Sequence, residues 1–349
     1  MYFRGTLTID PSQLTKMQKV SPSHGFRKLL FNLTGGQFAD KLELETFKAI
    51  NVLQQVHGSF SAIGINNIIR LTHDDIDIFH DKMGKKNDLD FAMDKYQIQI
   101  DESMSTHFNT LEMVLEHEDE TFKYLIEITI NRSHKQGEYP IHMVLTGMLS
   151  EFGLKPGQSR EALKDIMAKH FSDQESYDLF ITTKKLAFEQ FLESIRFETM
   201  KHIKVDDIRM EVRSRMVMQK KQQRQLPTKE IDPEYEGTPY GYFGFGDLML
   251  YAWLWSELSY DHNIHLSDVD LVTESGDFVS GVGDEGIDAG ESIIMDYNED
   301  FEIRMDSFES GDMGADDLGE MDLGDGETGT SWFDAAFGDS DFDMDFGDW

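Results

Sequence analysis

Three residues of this chain, His73, Asp77 and His80, are spaced so that a helix would set them on one face, at i, i+4 and i+7. Two imidazoles and a carboxylate so arranged can hold a divalent zinc, iron or manganese ion, and a metal-dependent enzyme is one reading of the sequence. The ordinary alternative is a solvated polar face with Ile76, Phe79 and Met83 turned inward. The segment 62–83 also reads as a strand, because Asp75 to Ile78 alternate polar and apolar, and on a strand the three groups do not converge. No HExxH stretch, GxSxG elbow or phosphate-binding glycine loop is present, so no catalytic residue and no cofactor are expected.

A second group is basic. Arg209, Arg213, Lys220 and Arg224 lie in a stretch with few helix breakers, and a helix over 205–226 would align them as a stripe. Such a stripe is an anion-binding face or, more ordinarily, a solvated one. It is also a docking place for an acidic segment of the same chain, since tethering raises the effective concentration.

That acidic segment is the third group. Residues 251–349 carry 29 Asp and Glu against one basic residue, Arg304, whereas residues 1–250 carry 37 acidic and 31 basic side chains. The formal net charge of −34 therefore resides mostly in the last hundred residues. At their end, residues 331–349 intersperse Trp332, Phe333, Phe337, Phe342, Phe346 and Trp349 among carboxylates. A purely solvating tail has no need of these rings. Alternating carboxylates and aromatics is the composition of segments that dock rings into a pocket rimmed by Lys or Arg, with the charges steering the encounter. Over these nineteen residues the chain is similar to the acidic C-terminal peptide of bacterial single-stranded-DNA-binding proteins, which implies recruitment of partner enzymes. It also resembles an acidic transcriptional activation segment. The chain reads as an interaction or adaptor protein with a basic protein partner. A third reading is a nucleic-acid mimic that presents DNA-like charge density to a DNA-binding protein. Direct binding of nucleic acid is not expected, because phosphate contacts need clustered Lys and Arg.

Positioning these groups falls to a body of α+β class. Between 96 and 149, apolar residues alternate at Tyr96, Ile98 and Ile100, at Leu111, Met113 and Leu115, from Phe122 to Ile130, and at Ile141, Met143 and Leu145. This predicts an antiparallel β-meander with one wet face. Residues 2–9 and 26–33 read as further strands, and 42–56 as a helix ending at Gly58. After Lys155-Pro156-Gly157, residues 159–171 and 175–201 show helical spacing. His170 and His202 fall near helix C-termini, where the macrodipole favours a cation.

The expected organisation is a body over 1–226, with a sub-domain break near 150–158. A Pro/Gly/aromatic linker with a short apolar helix follows at 227–261, then an acidic low-complexity tail over 262–349 that cannot offset the entropy of ordering its backbone. The chain has no cysteine, which fits a reducing compartment, and its first residues read as a strand and not a signal peptide. The most apolar stretch, Leu248 to Trp255, is far short of a membrane span, so a cytoplasmic location is expected.

Overall fold

Strict alternation over 110–149 produces three long strands: β4 (Thr110–Glu118), β5 (Phe122–Asn131) and β6 (Ile141–Leu149). They pair antiparallel, with Met113 opposite Ile128 and Ile126 opposite Leu145. The β4–β5 turn is fixed by Asp119, whose Oδ1 accepts from the backbone N–H groups of Thr121 and Phe122 at 2.7 Å. An aspartate closing a turn on its own backbone in this way sets the hairpin register.

The computed structural model describes residues 1–11, 41–74, 76–81, 83–102, 109–131, 137–153, 158–217, 242–273 and 276–289. All of them belong to one compact unit, Met1–Ile303. The expected strand at 26–33, Lys220, Arg224 and the aromatic positions of 331–349 lie outside the described residues.

Around the meander the sheet grows to nine strands. The others are β1 (Tyr2–Pro11), β2 (Asn67–His73), β3 (Ile76–His80), β7 (Val205–Val217), β9 (Val269–Val272) and β10 (Phe278–Val282). Their order is β10-β9-β7-β1-β6-β5-β4-β2-β3, antiparallel except for the parallel β7–β9 pair. A separate ladder joins β8 (His265–Leu266) to β11 (Ile287–Asp288).

The helices are α1 (Lys41–Ala62), α2 (Leu89–Glu102), α3 (Arg160–Ala168), α4 (Gln174–His202) and α5 (Phe245–Asp261). α4 starts where Asp173 accepts from the N–H of Ser176, and α3 where Ser159 accepts from that of Ala162. Both are side-chain caps that satisfy otherwise unpaired first-turn donors. α4 crosses the sheet closely because Gly5 and Gly147 leave room for Phe188; a Cβ on Gly147 would come within 2.7 Å of the Phe188 ring. Phe3, Phe122, Tyr124 and Phe188 complete the contact as a ring cluster. α1 packs along α4. β6 and α4 thus share one core across 150–158, where Ser150–Phe152 form a 3-10 turn.

The sheet's other face is polar. It carries Arg70, Thr72, Glu112, Glu127 and Thr129 on one side and Arg209, Glu211 and Arg213 on the other. This is the meander with one wet face that the alternation predicts, and the body is α+β.

Four expectations are corrected. Residues 96–100 are not a strand but part of α2, because Leu89, Ala92, Met93 and Tyr96 form a buried stripe at helical spacing. Residues 205–217 are not a helix but β7, in which Ile208, Met210 and Val212 alternate with Arg209, Glu211 and Arg213. The helix at 42–56 runs through Gly58 to Ala62. The presumed linker and tail contribute α5 and β8–β11, so the folded body reaches Ala289. Val269, Leu271 and Val272 are buried because they add to a sheet that already exists, which a segment without a core of its own can do.

Candidate functional site

The three residues proposed as metal ligands sit in the β2–β3 hairpin and not on a helix. Thr72 pairs with Asp77 and His73 with Ile76, with a bulge between Leu71 and Thr72. Thr72 points to the polar face, so strand alternation turns the neighbouring His73 the opposite way. Burial pushes His73 below its ordinary pKa, against the pull of Asp74. Asp77 instead holds the Arg70 guanidinium at 2.6 Å. Among the described residues, no group of three His, Asp or Glu side chains is placed to hold a metal ion.

The neighbour Asp74 has a structural role that explains the local sequence. It adopts a left-handed backbone, φ 47°, at the hairpin corner. Its Oδ1 accepts from the N–H groups of Asn109 and Thr110 at 2.8 and 2.9 Å and from the Thr110 hydroxyl. Partial burial opposes ionisation, but those hydrogen bonds, with His73 nearby, hold its carboxyl below the ordinary value. The acidic character of 74–81 therefore closes one hairpin onto β4 and pairs one arginine.

On β7, Arg209 and Arg213 share the polar face, and each is matched. Arg209 lies over the Tyr139 ring at 4.1 Å and 3.5 Å from Asp207. Arg213 bonds Glu211 at 2.7 Å and lies 3.7 Å from Asp268, while Arg215 approaches Asp270 at 3.9 Å. The helical stripe that would add Lys220 and Arg224 is not formed over the described part of that stretch. What stands there is a ladder of alternating charges running from β7 to β9.

Two features escaped the sequence reading. One is a cleft of about 270 Å³ on the polar face, lined by Arg70, Thr72, Glu112, Val114, Glu127 and Thr129. It offers a guanidinium, two hydroxyls and two carboxylates, a set able to hydrogen-bond a small polar molecule. Its residues come from three strands and share no sequence signature.

The other is a clamp where the described body ends. The His265 ring places Nδ1 2.8 Å from Asp288 Oδ1 and Nε2 2.9 Å from the Glu285 carbonyl oxygen. A carbonyl oxygen can only accept, and an ionised carboxylate likewise, so the protonated ring, in which both nitrogens donate, fits both partners. Only glycine fits beneath it: Gly286 has φ +69°, and a Cβ there would collide with the imidazole and come within 2.7 Å of the Leu266 carbonyl oxygen. Gln174, at the start of α4, anchors the other side by accepting from the His265 N–H at 2.7 Å and donating to its carbonyl at 3.0 Å.

The hydrogen bond to Asp288, then that to Glu285, raises the pKa of His265 above its ordinary value near 6.5; Asp178 adds to the effect and desolvation opposes it. A folded-state pKa above the unfolded one gives stability that is complete below pH 6.5 and disappears as pH rises through the folded value. Amide protection of Ala289, which bonds to the Ile264 carbonyl, should therefore fall as pH rises above about 6.5 and through the folded value. His265→Gln should flatten that dependence. A His265 titration midpoint at or below its ordinary value, read by NMR, would refute the assignment.

No family model matches this chain, and neither a curated protein nor a solved structure shows significant similarity to it.

Proposed function

We propose that this chain is an interaction protein: the α+β body is the platform, and the acidic, aromatic C-terminal segment is the arm that engages a basic partner. The observation that carries this reading is the segregation of charge. Residues 290–349 hold 20 Asp and Glu against Arg304 alone, and they also hold the rings of Trp332, Phe333, Phe337, Phe342, Phe346 and Trp349. Neutralising that segment requires cations from somewhere. The β7 arginines that an intramolecular docking would use already face Asp207, Glu211, Asp268 and Asp270. A partner surface is then the better source, with Lys or Arg at its rim and apolar pockets for the rings.

A cytoplasmic setting belongs to the same reading; among the described residues no helix is long and apolar enough to cross a membrane. The test is affinity capture from native extract with three baits at about 0.15 M salt, where charges beyond a Debye length are screened. They are the full chain, a chain ending at 289, and a full chain with those six aromatics changed to Ala. The expected result is a protein partner held by the full chain and lost by both variants. Capture that survives removal of the aromatics would instead support the nucleic-acid mimic, which needs only the charge. Equal catches from the full chain and the 1–289 chain would show that the segment is not the arm.

A further inference from the structure

α4 is a 29-residue helix with one face against the sheet and α1 and the other turned outward. The outward face has an ordered distribution of chemistry. Between Asp178 and Lys201 its most exposed positions carry no charge, and Glu193, with 43% of its side chain exposed, is paired with Arg196 at 2.6 Å. Leu179, Leu186, Phe197 and Met200 project there with 69, 52, 62 and 48% of their surface exposed, and Thr or Gln and Ser fill the turns between them. Four large apolar side chains in one stripe are more than the isolated exposed residues of an ordinary surface. At the N-terminal end the stripe is bounded by Glu175 and Asp178, and at the C-terminal end by Lys201 and, two residues past the end of α4, Lys204.

A stripe that is apolar in its middle, acidic at one end and basic at the other is complementary to itself turned end over end. We propose that α4 pairs antiparallel with α4 of a second copy of this chain, about a two-fold axis passing between Glu189 and Gln190. One register matches both charged ends. It sets Glu175 against Lys204, Asp178 against Lys201, Leu179 against Met200, Thr182 against Phe197 and Leu186 against Glu193, whose carboxylate is already paired with Arg196, each contact made twice as an isologous interface requires. A parallel pairing fails on charge, because it places Asp178 against Asp178 and Lys201 against Lys201. Lys201 lies 4.6 Å over the Phe197 ring and 2.6 Å from Glu198, so its ammonium is already held at the border of the stripe.

The size of the stripe sets the strength. From Leu179 to Met200 it runs about 32 Å at 1.5 Å per residue, one helix wide. That is the small end of specific interfaces, so the association is concentration-dependent, with dissociation in the micromolar range. The net charge of −34 on each copy opposes it. Salt near 0.15 M, with a Debye length of about 8 Å, weakens that long-range repulsion more than the contact pairs.

The chain contains no cysteine, so introduced cysteines report geometry without background. In the full-length chain, Gln190→Cys, next to the axis, should form a disulfide-linked dimer with itself. Leu179→Cys should not link alone but should link when mixed with Met200→Cys. In sedimentation velocity, Asp178→Lys should weaken self-association about tenfold, by turning two attractive pairs into two repulsive ones. Adding Lys201→Asp should restore it. All these positions are exposed, so the fold is kept in each variant. A chain that stays monomeric up to about 200 µM would overturn the proposal, since a micromolar interface is populated there. So would self-linking through Leu179→Cys, which reports a parallel pair. A dimer indifferent to the Asp178 reversal would place the interface elsewhere and equally reject it.

Discussion

A chain ending at residue 261 is expected to lose its cooperative unfolding transition, while one ending at 289 keeps it. The shorter chain lacks Ile264, Leu266, Val269, Leu271 and Val272, all 3% exposed or less. Burying an aliphatic side chain of this size contributes about 1.5–3 kcal/mol, so five together are worth on the order of 10 kcal/mol. That is comparable with the whole stability of a domain. The cut also strips β9 from β7, whose Ser214 to Val217 pair with Val269 to Val272. β7 would then become a bare sheet edge, open to pairing with other chains. Urea denaturation followed by circular dichroism, with gel filtration for aggregates, tests this directly. Equal midpoints for the two chains would show that residues 262–289 are not part of the core.

Trp255→Ala should cost about 3–5 kcal/mol, the range for removing a buried aromatic. Trp255 is fully buried, with Phe171 and Tyr251 rings 5.0 and 5.6 Å away and Phe152, Tyr177 and Phe180 around them. Phe152 comes from the turn after β6, Tyr177 and Phe180 from α4 and Phe171 from the turn after α3, so the indole joins three parts of the chain to α5. α5 is also tied to α3 by ion pairs from Lys164 to Glu257, at 2.5 Å, and from Arg160 to Glu257. Those pairs are partly exposed and add little beside the ring cluster. A fall in the urea midpoint worth less than about 1 kcal/mol would mean that the site collapses around the deletion, or that α5 is not a core helix.

Where the sequence was legible, the element was long and its period unbroken. β5 alternates through five buried positions from Phe122 to Ile130, and α4 keeps Phe188, Leu192 and Ile195 at helical spacing under a capping aspartate. The failures share a cause: a short window satisfies two periods. Tyr96, Ile98 and Ile100 alternate by accident within a helix whose stripe begins at Leu89. In β7 the arginines at i and i+4 suggested a helix, although Ile208, Met210 and Val212 already carried the period of two. Composition misled in another way. Averaged over 262–349, Gly and carboxylates conceal Val269-Asp270-Leu271-Val272, which needs only an existing strand beside it. The clamp at His265 depends on a carboxylate 23 residues away, and the polar-face cleft on three strands. Neither spacing is periodic, so nothing in the linear order marks them. The stripe on α4 was in plain view as exposed leucine, phenylalanine and methionine, but only the fold distinguishes an outward face from a core one.

β1 lies between β6 and β7, and Phe3 pairs with both Gly147 and Ser214. Its two neighbours thus come about 140 and 210 residues later in the chain, a non-local arrangement of the kind that folds slowly. At a synthesis rate of roughly 5–20 residues per second, β1 leaves the ribosome about 10–40 s before β7 exists to cover its second edge. For about two thirds of that interval, until β6 exists, a β-prone segment with Phe3, Leu7 and Ile9 along one side has no sheet neighbour, and for the rest it has one. The middle of the sheet is therefore closed only when β7 exists, with β9 and β10 added beyond it, and the newly made chain is exposed to wrong pairing at a strand that ends up flanked on both edges.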